Sequence, residues 1–176
     1  MKLISALTLT TAVAAATSVI ASRPFAASGA ENGASPIYGV TIPTGYREWE
    51  AIAPSQEASS LDELRIIFGN PIAMKAYREG TVPFPDGAIL AKVAWKRVPS
   101  MSDDIALGSP QAFVPGSATT VQVMVKDTKK YAATGGWGFG RFINGKPVDE
   151  AQHETCSPCH EANAKGHDQL FTHYAP

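Results

Sequence analysis

The chain has 176 residues, of which 44% are hydrophobic and 18% are charged, and its formal net charge is −1 at pH 7. This composition and length are those of a globular protein with one domain and a hydrophobic core. A chain so close to neutral excludes nucleic acid as a partner held by charge. No internal repeat is visible.

The first 27 residues have the features of a secretory signal peptide. Lys2 follows the initial methionine, an apolar stretch runs to about Ile20, and small residues follow at Ala26-Ala27-Ser28. Threonines and serines interrupt the stretch, which is short for a membrane-spanning helix, so cleavage is favoured over anchoring. The sequence therefore predicts export to the periplasm. Residues 28–42 are predicted to be a disordered lead-in, and residues 43–176 a single folded domain.

A strand and a helix are predicted early in this domain. Residues 64–68 are rich in branched side chains, which favours a β-strand. Asn70-Pro71 then supplies a helix N-cap followed by proline in the first turn, and Gly80 supplies the stop. The residues between them have the propensity for about two turns of helix.

The run 88–97 is the clearest strand in the chain. Its side chains alternate, so that Lys92 stands between Leu90 and Ala94 on a partly apolar face. A lysine in a strand is most often solvated, with its stem along the apolar surface. This pattern alone predicts a surface residue.

The second half of the domain is predicted to contain a loop, a strand and a helix. Residues 98–118 contain prolines with glycines between them, which favours a loop. Residues 119–126 alternate strongly, with valines on one face and Gln122 and Met124 on the other. The valine face is predicted to be core, and the second face either core or the lining of a cavity. Residues 127–133 suit a short helix.

Glycine and aromatic residues alternate over residues 135–142. The glycines superficially resemble a nucleotide-binding fingerprint, but that motif links a strand to a helix inside a βαβ unit, and no such helix is predicted here. The pattern favours a strand whose backbone closely approaches a neighbour or a flat ligand. Asn144-Gly145 is predicted to end it in a turn.

Cys156-Ser157-Pro158-Cys159-His160 is the most specific motif in the chain. Two cysteines separated by two residues and followed at once by histidine have the spacing of a c-type haem attachment site. Each thiol can bond one haem vinyl group, and His160 becomes the proximal iron ligand. A thioredoxin-like redox pair, a disulfide and half of a zinc site are weaker interpretations. The first two give the histidine no role, and no second cysteine pair completes a zinc site. A short helix over residues 161–165 is predicted to carry His160.

A second protein ligand on the iron would make the protein a mono-haem electron carrier. The candidates are Met74, Met101, Met124, His153, His167 and His173. A methionine is more often a core residue, and each histidine is more often at the surface or in a local hydrogen bond. An open or water-filled sixth position is the alternative.

Helices interspersed among at least four strands, without βαβ periodicity, predict the α+β class. Small class I cytochromes c are nearly all helix, and helical-bundle cytochromes lack strands, so the runs 88–97 and 119–126 argue against both. The chain instead resembles the cytochrome P-460 family over nearly all of residues 43–176. The resemblance rests on the order and spacing of Gly45-Tyr46-Arg47-Glu48-Trp49, Asp86-Gly87 with Lys92 five residues on, Val125-Lys126-Asp127, Trp137, Phe139, the haem peptide with Glu161, Asn163-Ala164-Lys165 and Phe171-Thr172.

The resemblance implies a periplasmic mono-haem protein with an antiparallel β-sheet packed with short helices, usually a homodimer. One branch of the family oxidises hydroxylamine to nitrous oxide or nitrite, passes electrons to an acceptor such as a small cytochrome c, and bears a covalent bond from a lysine nitrogen to the haem ring. The other branch, the β-sheet cytochromes c′, lacks that bond and binds nitric oxide without turnover. Lys92 falls where the cross-linking lysine stands, which implies a second haem anchor.

One departure from the family pattern concerns proton transfer. The position that matches the distal glutamate of the hydroxylamine-oxidising branch is Gln122, and an amide cannot act as a base near neutral pH. The same matching implies that Arg65 is a hydrogen-bond donor on the distal side and that Leu61 is an apolar pocket residue. The enzyme, the gas-binding protein and the electron carrier therefore all stay open.

Overall fold

The computed structural model describes residues 33–176, and the predicted signal peptide, residues 1–27, lies outside the described residues. Six strands follow chain order in one antiparallel sheet: β1 (Glu50–Glu57), β2 (Glu63–Gly69), β3 (Ile89–Pro99), β4 (Phe113–Lys126), β5 (Trp137–Ile143) and β6 (Lys146–Pro147). The α-helices are α1 (Pro71–Glu79), α2 (Met101–Leu107), α3 (Glu150–Glu154) and α4 (Cys156–Ala164). The predicted α+β class with an antiparallel sheet is confirmed. None of the helices within residues 33–176 combines the length and the apolar character that crossing a membrane requires.

Helix α1 has the ends that its sequence predicts. The side-chain oxygen of Asn70 accepts a hydrogen bond from the Ala73 N–H at 2.9 Å, which is the usual N-cap contact. Gly80 takes the left-handed conformation, with φ of 63°, and its N–H bonds to the carbonyls of Ala76 and Tyr77. Both predicted boundaries of this helix are confirmed.

The predicted loop over residues 98–118 is wrong. Strands β3 and β4 continue their pairing outwards, with Val98 opposite Val114 and Pro99 opposite Phe113, and α2 joins their ends. Pro115 pairs with Arg97 and fits because the register shifts between Trp95 and Arg97, where the ladder of hydrogen bonds is already interrupted, and Pro99 lies at the end of β3. Long-range strand pairing thus overrides the local preference for a loop.

The predicted helix over residues 127–133 is also wrong. The Asp127 carboxylate accepts hydrogen bonds from the N–H groups of Lys129 and Lys130, which holds this segment in a turn. Only Ala132–Thr134 is helical, as a single turn of 3-10 helix. The Asp127 contacts are N-cap contacts, but the helix does not continue because Gly135 and Gly136 take positive φ, 65° and 84°.

The folded domain begins before Pro43, which corrects the predicted disorder of residues 33–42. The Ser35 hydroxyl donates to the Phe139 carbonyl at 2.8 Å, along the edge of β5. Tyr38 and Val40 are buried, and the Tyr38 ring lies edge-on to Phe139 with centroids 5.3 Å apart. On this side β5 pairs with β6 only at Phe142 and Ile143, so the rest of its edge is open to other partners. The segment 33–42 supplies such partners and is therefore ordered in spite of its polar composition.

Strand β1 was not among the predicted strands. It contains Pro54 and a bulge between Ala51 and Ala53, and it lies at the edge of the sheet. Both features are tolerated at an edge because one side of the strand has no ladder to complete. Because of both features, the sequence of β1 lacks the regular alternation of apolar and polar residues from which a strand is predicted.

Helix α1 and the C-terminal residues cover one face of the sheet. Ala175 donates its N–H to the Ile52 carbonyl at 3.0 Å, and the Tyr77 hydroxyl donates to the Thr172 carbonyl at 3.0 Å. The buried side chains between these layers include Ile52, Ile67, Met74, Phe84, Leu90, Trp137 and Leu170. This covered face also holds the candidate site.

The opposite face of the sheet divides into a covered and an open part. Phe142 and Val123 are buried beneath the segment that contains Val40. Four further apolar side chains on β2 and β3 are only half-buried and lie outside the core cluster: Leu64, Ile66, Phe68 and Trp95. We call these four residues the open apolar strip.

Candidate haem site

A cavity of about 750 Å³ lies between the covered face of the sheet, helices α3 and α4, and the C-terminal residues. Its volume is in the range of cofactor and ligand pockets. Helix α4 contributes Cys156, Cys159 and His160 to the lining, and residues 170–173 contribute the C-terminal part. The haem peptide therefore opens onto a cavity large enough for a cofactor.

Helix α4 presents the three residues of the haem motif on one side. Positions three and four apart in an α-helix lie on the same face, which is the relation of Cys159 and His160 to Cys156. Both cysteines are free thiols, Cys156 half-buried and Cys159 exposed. Burial raises the pKa of the Cys156 thiol, and the nearby Arg141 guanidinium opposes this shift. Neither thiol is committed to a disulfide.

His160 is held with one nitrogen directed into the protein. Its Nδ1–H donates to the Gln169 carbonyl at 2.7 Å, which leaves Nε2 as the nitrogen with a free lone pair. The rings of Phe139 and Phe171 lie 5.0 Å and 4.8 Å from the imidazole, centroid to centroid. Burial lowers the pKa of His160 against the opposing hydrogen bond to Gln169, and a neutral imidazole is the form that binds a metal.

The sheet brings three predicted site residues onto the cavity wall. Lys92 on β3 lies directly opposite Gln122 on β4, and Gln122 lies opposite Arg141 on β5. Residues directly opposite each other in antiparallel strands share a face of the sheet. Arg65 on β2 pairs with Ala94, two positions along from Lys92, and so faces the same way. Lys92, Gln122 and Arg65 all line the cavity, and so does Arg141, which was not predicted.

Lys92 has an unusual environment for a lysine. Burial, followed by the nearby Arg65 guanidinium, lowers the pKa of Lys92 to about 8, although Glu57 and Glu63 act in the opposite direction. Roughly a tenth of such an amine is neutral at pH 7, against a few molecules in ten thousand for an ordinary lysine. Only the neutral form is a nucleophile. The expectation from alternation alone, a surface lysine, is therefore wrong for this position.

Arg65 is fixed on the wall by two carboxylates. Its Nε and Nη2 donate to Glu63 at 2.9 Å and 2.7 Å, and its Nη1 pairs with Glu57. Glu63 is only 3% exposed and also accepts from the Thr119 hydroxyl at 2.6 Å. Burial alone would raise the pKa of Glu63, but the bonds from Thr119 and Arg65 lower it. The guanidinium is therefore oriented by ionised partners and is not free to swing across the cavity.

Leu61 does not line the cavity. It lies in the turn before β2, half-buried, and its carbonyl accepts a hydrogen bond from the Lys96 Nζ at 2.7 Å. The implied role of Leu61 as a pocket residue thus gains no support from its position.

Most candidates for a sixth iron ligand lie away from the cavity. Met74 is in the core beside Ile52, and Met101 is 77% exposed on α2. His153 uses both ring nitrogens, one with the Asp149 carbonyl and one with the Arg141 N–H. His167 bonds to the Leu170 carbonyl through Nδ1 at 3.0 Å and is outside the lining. The remaining candidates are Met124 and His173, which both line the cavity.

Sequence reasoning missed several lining residues, of which Arg141 and Glu57 carry charge. Arg141 is a charged residue within the glycine and aromatic pattern of β5, and pairing that strand with β4 would have placed it beside Gln122. Glu57 lies on the unpredicted β1 and gave no signal of its own. The aromatic residues around His160, Phe139 and Phe171, belong to the family resemblance but had been given no role.

The residues present fit a covalently bound haem. Two free thiols and an imidazole with Nε2 available lie on one side of the cavity, and the rest of the lining combines apolar and aromatic side chains with charged ones. Within the described part of the chain, the buried Arg141 Nε has no hydrogen-bond partner, which suits an anionic group such as a haem carboxylate. Cys156 and Cys159 would hold the haem, and His160 would bind its iron. These features define a c-type cytochrome that carries one haem beside an antiparallel sheet.

The comparison with known families agrees with this class. The chain belongs to the cytochrome P460 family, whose sequence profile matches residues 43–172. Membership identifies it as a haem c protein. No protein with a curated description matches the chain.

Proposed function

We propose that this protein oxidises hydroxylamine to nitrogen oxides, nitrous oxide or nitrite, and passes the electrons to an external acceptor. The observation that carries the proposal is Lys92, a half-buried lysine on the wall of the haem cavity whose amine has a lowered pKa. In the hydroxylamine-oxidising branch that the sequence resembles, a lysine at this position is bonded to the haem ring. We infer the same bond here. Replacing one N–H and one ring C–H by an N–C bond releases two protons and two electrons, so forming the bond needs a two-electron oxidant such as a peroxide, which takes up both.

The haem supplies the redox chemistry when it is bound. The surrounding side chains have separate tasks. Arg65, held by Glu63 and Glu57, provides a fixed donor on the cavity wall, and Arg141 lines the same wall. Gln122 donates from its amide to the Thr120 hydroxyl at 3.3 Å, which directs its carbonyl oxygen away from that contact as an acceptor. This oxygen can orient an N–H or O–H of a small substrate without removing the proton.

Protons must leave the cavity when hydroxylamine is oxidised. Glu57 is the carboxylate on the cavity wall, and its side chain is 47% exposed while it pairs with Arg65. A carboxylate with one side toward the cavity and another toward solvent suits proton release. We infer that Glu57 takes over part of the task that a glutamate at position 122 performs elsewhere in the family.

Gln122 favours a second candidate function. Without a base beside the substrate, the cavity suits capture of nitric oxide by a haem with an open sixth position, as in the β-sheet cytochromes c′. A third function, electron transfer alone, requires Met124 or His173 to bind the iron. Gas binding distinguishes the gas-binding protein from the electron carrier, because a haem with two protein ligands resists nitric oxide and carbon monoxide.

We propose the periplasm as the location, since covalent haem attachment and a signal peptide over residues 1–27 both point there. We also propose a homodimer, in which the open apolar strip packs against the same strip of a second copy. Two copies of one apolar surface can cover each other about a two-fold axis, and sheets commonly pack face to face. A small cytochrome c remains the proposed electron acceptor.

The test of the main proposal compares the wild-type protein, exported and loaded with haem, with Lys92→Leu and Lys96→Leu. Lys96 lies on the same strand and face but is exposed, so it is a matched control. We expect hydroxylamine-dependent reduction of an acceptor dye by wild type and Lys96→Leu, and none by Lys92→Leu. Proteolysis and mass spectrometry should show haem joined to the peptide containing Lys92 in the two active proteins only.

Two results would contradict the proposal. Prompt binding of nitric oxide by wild type, with no acceptor reduction and no Lys92 cross-link, would establish the gas-binding function. A low-spin spectrum that is indifferent to both gases would establish the electron carrier.

A further inference from the structure

We propose that the buried ion pair of Lys126 and Asp168 positions the proximal ligand, by holding the Gln169 carbonyl against His160 and thereby setting the electron density at the haem iron. The proposal rests on the haem c assignment. It does not depend on whether hydroxylamine is the substrate.

Lys126 is a charged residue in an apolar place. It ends β4, is 2% exposed, and its Nζ lies 3.0 Å and 2.9 Å from the two carboxylate oxygens of Asp168. The same Nζ donates to the Gly135 carbonyl at 3.1 Å and lies 4.9 Å from the centroid of the Trp137 ring. The ammonium group is therefore fully satisfied by a fixed set of partners, so its position is set by the sheet. Removing ions from water is unfavourable, and a buried pair is best explained where it fixes a geometry.

The pair anchors a backbone turn that has little freedom of its own. Asp168 and Gln169 both have positive φ, 47° and 65°, although neither is a glycine. Residues with side chains persist in this region only where their surroundings hold them. Asp168 also accepts from the Phe84 N–H at 2.8 Å, and the Gln169 side-chain amide donates to the Thr134 carbonyl at 3.2 Å. Contacts from the sheet and two connections thus hold the turn.

This turn is the part of the chain that meets the iron ligand. The carbonyl of Gln169 accepts from Nδ1–H of His160 at 2.7 Å, a bond between α4 and a residue nine positions further on. The Asp168 carboxylate ties the residue before this carbonyl to Lys126, while the Leu170 N–H of the same peptide unit bonds to the His167 carbonyl. Loss of the ion pair should therefore let the turn shift and weaken the hydrogen bond whose donor is the ligand ring.

Such a bond affects the iron as well as the ring orientation. An imidazole that donates strongly from one nitrogen is more basic at the other, and a more basic ligand favours ferric over ferrous iron. A weaker bond to Gln169 should make the haem easier to reduce and should soften the bond between iron and imidazole. An ion pair that only supports the fold would do neither.

The experiment uses the haem-loaded protein with Asp168→Asn and Lys126→Met. Asp86→Asn is the matched control, because Asp86 is a carboxylate that binds the Thr128 N–H and hydroxyl in the same region without any contact to His160. The readouts are the reduction potential from an equilibrium titration and the iron–imidazole stretching frequency of the ferrous protein from resonance Raman spectra. In both test variants, we expect the ratio of ferrous to ferric haem at a fixed potential to rise at least tenfold. This rise corresponds to a reduction potential at least 59 mV higher for a one-electron couple. We also expect a lower stretching frequency and full retention of haem through Cys156 and Cys159.

The proposal would be overturned if Asp168→Asn had the same reduction potential and the same stretching frequency as the wild type, whatever its melting temperature. Asp168→Asn changes charge with almost no change in volume, so it decides the outcome if Lys126→Met does not accumulate. A shift of the same size in Asp86→Asn would also overturn it, because the effect would then be non-specific. Neither readout involves hydroxylamine, so failure of the proposed function would leave these results unchanged.

Discussion

Lys92 and Gln122 are neighbours on the cavity wall, and we expect the first to affect how the haem is attached and the second to affect the rate of the reaction. Lys92 is expected to bond the haem ring, whereas Gln122 lines the same cavity, where the proposed reaction would require a proton acceptor. They lie directly opposite each other on β3 and β4, so both face the same space. A base at position 122 is therefore the change that should most affect rate while leaving the haem as it is.

Gln122→Glu should increase hydroxylamine oxidation above the pKa of the new carboxylate. General-base assistance typically contributes about a hundredfold to ten-thousandfold, and Glu57 should supply only part of it in the wild type. The measurement is the initial rate of acceptor reduction between pH 5 and 9, with Gln152→Glu on α3 as the control that adds a carboxylate elsewhere in the lining. An unchanged rate would mean that proton transfer is not limiting.

The reactivity of Lys92 should depend on pH in a way that an unfolded lysine does not show. In the Cys156→Ala/Cys159→Ala variant, which has no thioether to haem, acylation of Lys92 should rise with pH and level off near a pKa of about 8. In denaturant it should continue to rise to about pH 10, the range of an ordinary lysine. Labelled peptides from both states, quantified by mass spectrometry, give the two curves. Coincident curves would show that burial does not lower this pKa.

At the scale of elements, Asn70 joins the start of α1 to the start of β3, the strand that carries Lys92. Its Oδ1 accepts from both the Ala73 N–H and the Ile89 N–H, and its Nδ2 donates to the Gly87 carbonyl at 2.8 Å. One side chain therefore ties the point at which the chain enters the helix to the point at which it re-enters the sheet.

Asn70→Ala should lower the free energy of unfolding by about 2–4 kcal/mol, because the cap is lost and two backbone groups near β3 lose their partner. Chemical denaturation of the haem-loaded protein measures this change. Gln111→Ala, on an exposed residue, should stay within about 0.5 kcal/mol of wild type. A loss no larger than that of the control would show that water replaces the Asn70 contacts.

The glycine and aromatic alternation of β5 also has its explanation at this scale. A Cβ on Gly138 would lie 2.2 Å from the Tyr131 ring, so only glycine allows the ring to cover the strand. The close approach predicted from this pattern is to a neighbouring side chain. The aromatic residue on the other face, Phe139, is the one that reaches the haem cavity.

At the scale of the whole molecule, the open apolar strip should hold two copies together. Ile66→Glu places a charge at the centre of the strip and should convert the dimer to a monomer, because an unpaired carboxylate resists burial. Ile72→Glu, on α1 and 42% exposed, makes the same substitution on the other side of the sheet and should remain a dimer. Sedimentation gives both masses. A monomeric wild type, or a dimeric Ile66→Glu, would contradict this interface.

Features that depend on a few adjacent residues were predictable. The boundaries of α1 and the alternating faces of β3 follow from the spacing of neighbouring side chains, and both have the predicted form. The helix of the haem peptide begins earlier than the predicted residues 161–165, at Cys156. The short-range signals failed where a distant strand or an edge supplied the missing partners. The extension of β4 to Phe113 and the packing of residues 33–42 are two such cases.

The composition of the cavity wall depends on contacts between residues far apart in the chain. Spacing along β4 and β5 does not reveal that Gln122 lies between Lys92 and Arg141, because the register of antiparallel strands is set by the whole sheet. In the same way, the haem motif identifies His160 as a ligand but cannot show which carbonyl orients it. That partner, Gln169, is brought to the imidazole by a buried ion pair between Asp168 and the end of β4, and only the path of the folded chain creates such a contact.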